Sequence, residues 1–349
     1  AWFRNTEGLK DSILIKMLKK MEIRILSSDD VRKALPMKEA ISGMNRAFSR
    51  LSSGQVEMPL RSRVPVTDQD GVLLTMPAAL PEDGELAVKL VTVFGKNPGR
   101  GFPLIHAAVI ALDINNGRIK ALMDGEVLTT VRTGAAVGAA TDILAREDAS
   151  TVGIIGSSKL ARSQLEAVCT VRCIEQVRVF SPNPEHAQTC AEEMSGKGPV
   201  PDDVRAVPSS KKAINNADIV CTATTSTTPV IAFENLKQGV HINAVGAFKP
   251  EMQEIDAETI VNALVVADSR ESVLAEAGDL VIPINQGLIT PDHVHAEIGE
   301  LNNGTKTGRT SAEQITLFKS CGVAVQDAVS ASIVLKNAES ENLGTLAHI

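Results

Sequence analysis

Thr151-Val-Gly153-Ile-Ile-Gly156-Ser157-Ser158-Lys159-Leu160-Ala161 decides the fold. Its first five residues carry no charge and suit a strand covered on both faces. Two serines and a lysine then lead into helical spacing. A dinucleotide-binding turn needs a glycine for the tight turn, a second where the pyrophosphate approaches, and a small residue where helix and strand pack. Gly156 and Ala161 meet the first and third needs, while Ser158 stands at the second. The stretch therefore reads either as a cofactor turn or as a plain strand–helix turn. Further apolar runs at 176–180, 219–222, 240–244 and 263–266, with helical spacing between them, predict a parallel sheet clad by helices on both faces. Ser181-Pro-Asn183 ends the second run. No acid stands there to meet a ribose diol or repel a 2′-phosphate, which favours NADP(H) over NAD(H).

Toward the N-terminus the period changes. Ser27-Ser-Asp-Asp30 reads as a helix cap, and apolar residues then follow at helical spacing until Gly54. Strand-like runs at 71–76, 86–94, 105–113 and 119–123 are separated by Asp70-Gly71, Pro98-Gly99, Asn116-Gly117 and Asp124-Gly125. An Ala-rich helix is expected over 132–145, and the tail from Ser311 to about Lys336 reads as helical. The expected fold class is α/β. A Rossmann-type parallel-sheet domain over 131–308 is joined to an α+β substrate-binding and dimerisation domain made of 21–130 and 309–349. Residues 1–20 read as an N-terminal extension.

Composition narrows the function. A net charge of −7 with no Lys/Arg stripe argues against nucleic acid as partner, and no apolar run reaches the roughly 20 residues needed to span a bilayer. Five cysteines without a C-x-x-C pair suggest free thiols in a reducing cytoplasm. Cys169 and Cys173 read as small helix residues, and His293 with His295 lacks a third ligand, so no metal is expected. The chain has no tyrosine, so the proton donor must be another group. Lys89 interrupts an apolar strand and belongs either to a solvated face or to a site. Arg61 and Arg132 are, singly, surface charges. With Lys89 they place cations before, within and after one sheet, suited to a carboxylate.

At these residues the chain resembles the ornithine cyclodeaminase/μ-crystallin family, from Met21 to Lys336. The resemblance is carried by Leu26-Ser-Ser-Asp-Asp-Val31, Met58-Pro-Leu-Arg61, the 86–94 strand, Ala121-Leu-Met-Asp-Gly125, Leu128-Thr-Thr-Val-Arg132-Thr133-Gly-Ala-Ala136, Cys221-Thr-Ala-Thr-Thr-Ser226, Asn243-Ala-Val-Gly246 and Thr316-Leu-Phe-Lys-Ser320. It implies a homodimer formed through the N-terminal sheet. It also implies that Arg61 and Lys89 hold the substrate carboxylate, Lys89 doubling as proton donor, with Arg132 and Thr133 beside substrate and cofactor. Gly156, Ser157, Ser158, Lys159 and Leu160 would take the pyrophosphate, and Ser181 with Asn183 the adenosine ribose. Thr224 and Thr225 would meet the inner cofactor, and Asn243 to Ala247, including Val245 and Gly246, would border the nicotinamide.

Four positions depart from the family pattern: Ser158 for glycine, Leu160 for glutamine, Leu104 for threonine, and Phe248 for the cyclodeaminases' aspartate. The Ala247-Phe-Lys-Pro250 version is similar to members that reduce cyclic ketimines. The expectation is NAD(P)H-dependent reduction of a cyclic 2-imino acid, Δ1-pyrroline-2-carboxylate or Δ1-piperideine-2-carboxylate. The alternatives are an alanine dehydrogenase or reductive aminase, an ornithine cyclodeaminase, and a non-catalytic NADPH- and ligand-binding protein.

Overall fold

The computed structural model describes residues 22–348; the N-terminal extension lies outside them. Six strands come first: β1 (Glu22–Leu26), β2 (Ser62–Val66), β3 (Gly71–Leu80), β4 (Glu85–Phe94), β5 (Ile105–Asp113) and β6 (Ile119–Asp124). Eight more follow: β7 (Thr151–Ile155), β8 (Gln176–Phe180), β9 (Val204–Ala206), β10 (Ile219–Thr222), β11 (His241–Ala244), β12 (Leu264–Ala267), β13 (Val294–Glu297) and β14 (Thr316–Lys319). The chain closes on β15 (Thr345–His348).

The second group forms the expected parallel sheet, in the order β13-β12-β14-β11-β10-β7-β8-β9. Every residue of β10, β11 and β14 is buried, as strands covered on both faces must be. Succession runs outward from β7 in both directions, through β8 and β9 on one side and β10 and β11 on the other. The crevice at the carboxyl ends of β7 and β10 is therefore the topological switch point, where such sheets bind ligands.

The first sheet has the order β15-β1-β6-β5-β4-β3-β2 and is antiparallel except for the β1–β6 pair. The helices Met37–Ser52 and Ala324–Ser340 pack together, and Ala324–Ser340 lies across β3 and β4. The first predicted helix is two, Ser28–Ala34 and Met37–Ser52, because Pro36 begins a new one. Ser27 caps the first, with Asp30 returning the bond.

Two expectations need correction. The tail is not helical from Ser311, nor does it return to the first sheet from residue 309. Thr316–Lys319 is a strand between β11 and β12, and the helix starts only at Ala324. Four fully buried residues show no alternation, and Lys319 disguises the run as polar. The Ala-rich helix also begins earlier, at Gly125. Asp124 is its cap rather than a turn residue, its Oδ1 accepting from Val127 N at 2.8 Å.

This Gly125–Leu144 helix joins the two halves. Its small residues allow close approach: a Cβ on Gly134 would lie 2.6 Å from the Ser163 carbonyl oxygen of the Lys159–Val171 helix, and one on Gly138 would meet Ile41 of the Met37–Ser52 helix.

Candidate active site

At the switch point lies a groove of about 650 Å³ lined by Gly156, Ser157, Ser158, Ser181, Thr224 and Thr225, among others. Gly156 has φ +117°, and a Cβ there would stand 2.7 Å from the Ala223 carbonyl oxygen. No other residue fits without shifting backbone. Ser158 caps the following helix, its Oγ accepting from Ala161 N at 3.4 Å, which explains how a serine serves where glycine is usual. The helix starts at this Ser158, on the lining of the groove, and a helix N-terminus suits a pyrophosphate.

Arg162, which the sequence reading missed, also lines the groove. Its guanidinium donates to the Ser157 carbonyl and pairs with Glu193 at 2.7 Å. The only signal was a cation one turn after Ser158.

Other predicted contacts are placed differently. Lys159 pairs with Glu126 at 2.7 Å and, with Leu160, lines a second cavity. Asn183 uses its side chain to cap Pro184–Met194, accepting from Glu185 N at 2.9 Å. Thr133 and Val245 are buried, and neither they nor Asn183 nor Gly246 line the groove. Asn243 is fully buried and donates to Thr141 Oγ1 at 3.0 Å.

One buried acid sets the loops beside the groove. Glu254 is 0% exposed. Its Oε1 accepts from Thr224 N at 2.7 Å and Thr224 Oγ1 at 2.8 Å; its Oε2 accepts from Thr222 Oγ1 and Gly246 N at 2.7 Å and from Ala247 N at 3.0 Å. Burial pushes this carboxyl above its ordinary range. Asp279 receives the backbone N–H of Glu254 and Ile255 and pairs with the fully buried Lys319 at 2.7 Å. The loop after β10 is thus tied to the one after β11, which leads to Phe248.

The second cavity, about 470 Å³, opens between the two sheets. Ser158 lines both cavity and groove, so the two meet at the cofactor turn. The structure brings Arg61, Lys89 and Arg132 together here. Lys89 is 3% exposed, which removes the solvated-face reading. Its Nζ lies 2.8 Å from Asp327 Oδ2, while Arg132 Nε bonds Asp327 Oδ1 at 3.0 Å and Arg132 Nη1 bonds Gln326 Oε1 at 2.7 Å. Arg61 Nη2 lies 2.8 Å from Glu276 and 3.1 Å from the Gly322 carbonyl oxygen, leaving its other guanidinium edge to a ligand.

Burial, then Arg132, brings the Lys89 pKa down to about 8 against the pull of Asp327. The rest of the lining is largely apolar: Val91 and Val93 follow Lys89 on the same face of β4, Leu74 pairs with Val91, and Leu104, Ile105 and Phe248 complete it. The sequence reading missed Asp327, Gln326 and Glu276. Gln326 and Asp327, near the start of Ala324–Ser340, pass for ordinary helix-start residues, and Glu276 ends the Arg270–Glu276 helix as an ordinary polar terminus. His293 and His295 each bond a backbone carbonyl, of Ile260 and Thr307.

A glycine-turned groove at a switch point, continuous with a cation-floored cavity between two sheets, is the architecture of a two-domain dinucleotide-binding protein. Residues 21–342 match the ornithine cyclodeaminase/mu-crystallin family, and the chain belongs to it. It is 38% identical over 321 residues to the Δ1-pyrroline-2-carboxylate reductase of Bacillus cereus, covering 92% of this chain and 98% of that one. It resembles the solved Thermococcus litoralis Δ1-pyrroline-2-carboxylate reductase in complex with NADH and L-proline, with TM-score 0.88, 40% identity, and 93% of this chain and 99% of that one covered. An archaeal alanine dehydrogenase dimer with bound NAD matches with TM-score 0.88, 34% identity, and 94% and 100% covered.

Proposed function

We propose that this chain is an oxidoreductase that reduces the C=N bond of a cyclic 2-imino acid, Δ1-pyrroline-2-carboxylate or Δ1-piperideine-2-carboxylate, with NAD(P)H. The observation that carries this reading is a buried, protonatable Lys89 flanked by two arginines in a largely apolar cavity that meets the cofactor groove.

The free edge of Arg61, with Arg132, holds the substrate carboxylate in bidentate fashion. The apolar wall takes the ring methylenes and excludes water. The nicotinamide, when bound, supplies the hydride to the imine carbon. Lys89 Nζ supplies the proton to the ring nitrogen, and the product is the cyclic amino acid. With a pKa of about 8, Lys89 is mostly protonated at pH 7 and is a stronger acid than an ordinary lysine. The relatives that reduce pyrroline-2-carboxylate support the substrate class.

The first sheet supports a homodimer. On β4 the buried residues are Glu85, Ala87 and Lys89, while Leu86, Val88 and Leu90 are only partly covered. Ile110, Leu112 and the exposed Leu122 continue that apolar face on β5 and β6. A second copy of this chain would cover it. No helix among the described residues is long and apolar enough to cross a membrane, and five free cysteines support a reducing, cytoplasmic setting.

The test compares cofactor oxidation with five- and six-membered cyclic ketimines, pyruvate plus ammonia, and pyruvate plus methylamine. The ketimines are expected to give the highest kcat/KM. Turnover only with pyruvate and an amine source overturns the reading in favour of a reductive aminase, and cofactor binding without any turnover overturns it in favour of a binding protein.

For the cofactor, no carboxylate lines the groove, whereas Arg162 and His186 do. NADPH is expected to serve at least as well as NADH, and Ser181→Asp to shift preference toward NADH by placing a negative charge against the 2′-phosphate. Initial rates with each cofactor decide this; a strong NADH preference in the unaltered protein contradicts it.

A further inference from the structure

We propose that Asp327 is the positioning residue of the reaction: its single carboxylate aims Lys89 and Arg132 into the cavity and sets the pH range over which Lys89 delivers a proton. The inference rests on the proposed imine reduction and assigns the proton-delivery step to a pair rather than to one residue.

Asp327 is 1% exposed and lies in the first turns of the Ala324–Ser340 helix. Its oxygens are divided between two elements of the cavity. Oδ2 faces Lys89 on β4 at 2.8 Å, and Oδ1 accepts from Arg132 on the Gly125–Leu144 helix at 3.0 Å. The neighbouring Gln326 Oε1 accepts from both Arg132 Nη1 at 2.7 Å and Val323 N at 2.9 Å, fixing the guanidinium from a second side. Both cations therefore take their direction from one helix end, and neither rotates without leaving a buried charge unpaired.

The charges around Lys89 explain why one acid, not two, stands there. Asp327 faces it from the Ala324–Ser340 helix, Arg132 from the Gly125–Leu144 helix, and Arg61 from the segment before β2. Behind them, Glu276 balances Arg61, while Asp268, which feels Arg132, is occupied by Ser320 Oγ and the N–H groups of Gly322 and Ser269. Two cations thus share one anion, leaving a net positive floor that an imino acid's carboxylate completes. Among the described residues, Asp327 is the only carboxylate paired with Lys89. Burial and both arginines push Lys89 toward its neutral form; Asp327 alone opposes them in direct contact.

The test is the pH profile of kcat/KM for ketimine reduction. Protonated Lys89 is the active form, so the unaltered protein loses activity as pH rises through about 8. In Asp327→Asn, removing an opposite charge at contact distance moves that limb down by at least about one pH unit. Activity near pH 8 then falls about fivefold or more, approaching tenfold at higher pH, and recovers on acidification. Asp327→Glu keeps the charge but displaces it by one methylene. Its limb is expected near the original position with a reduced kcat, and this variant carries the test if Asp327→Asn does not fold. An unmoved limb in Asp327→Asn, or an unreduced kcat in Asp327→Glu, overturns the role of Asp327 alone. Absence of any such limb in the unaltered protein overturns the Lys89 proton-donor reading on which the inference rests.

Discussion

Replacing Lys89 by methionine lowers kcat/KM for ketimine reduction by about 10²-fold or more, the usual scale for losing a general acid, while cofactor affinity stays nearly unchanged. Lys89 lines the cavity between the sheets and not the groove at the switch point, so on the proposed reading its loss acts on the chemical step. Methionine has a similar length and adapts to irregular space, which keeps the neighbouring wall of β4 packed. Asp327 retains Arg132 as a partner at 3.0 Å, so its charge is not stranded, although some thermal stability is lost with the ion pair. The measurement is steady-state kinetics with a cofactor-binding titration on the same preparation. A variant that melts earlier but turns over near the original rate would make Lys89–Asp327 a structural ion pair and remove the donor from the mechanism.

The second large expected effect is a reaction that does not occur. L-Ornithine is converted to L-proline at least about 10²-fold more slowly than the ketimine is reduced, because that route needs a base beside the reacting carbon. Phe248 lines the cavity at the position to which the family resemblance assigns the cyclodeaminases' aspartate, and a phenyl ring moves no protons. It also makes the site less favourable for a charged δ-ammonium.

The structure narrows the possible substitutes. Glu254 has both oxygens engaged by five donors and is wholly buried, and Glu251 is exposed. Asp327 and Glu276 are held by the cavity's cations; the acid on the cavity lining itself is Glu126, paired with Lys159 at 2.7 Å. Ammonia release from ornithine with catalytic NAD⁺ is the measurement. Rapid release would contradict the imine-reductase reading and point to Glu126.

What the sequence made legible follows from the range over which each signal acts. β7, β8 and β10 were readable to the residue, since continuous apolar runs bounded by polar turns are local patterns. β14 was not, because its burial depends on β11 and β12 on either side and its terminal Lys319 is neutralised by Asp279, which lies 40 residues away. The cations of the cavity stood out because a charge inside an apolar strand or opening an Ala-rich helix breaks a local pattern. Their acids did not: Asp327 meets Arg132 across 195 residues, and Glu276 meets Arg61 from the other sheet's helices. Nor did alternation reveal which way Lys89 points. Leu86, Val88 and Leu90 take the opposite face of β4, so the lysine shares its face with Ala87, Val91 and Val93.

The Gly125–Leu144 helix has a mechanical consequence. Fourteen of its residues are buried, Leu128 through Ala140 with few gaps, and its side chains belong both to the core of the first sheet and to that of the parallel sheet. Two bodies that share a packed helix do not swing about a linker as clamshell enzymes do, because opening would expose apolar surface on both sides at once. Access must then depend on side chains at the mouth, such as the solvent-facing Lys159–Glu126 pair, which move in nanoseconds rather than the microseconds to milliseconds of domain closure. Turnover limited by such side-chain motion would show little dependence on solvent viscosity.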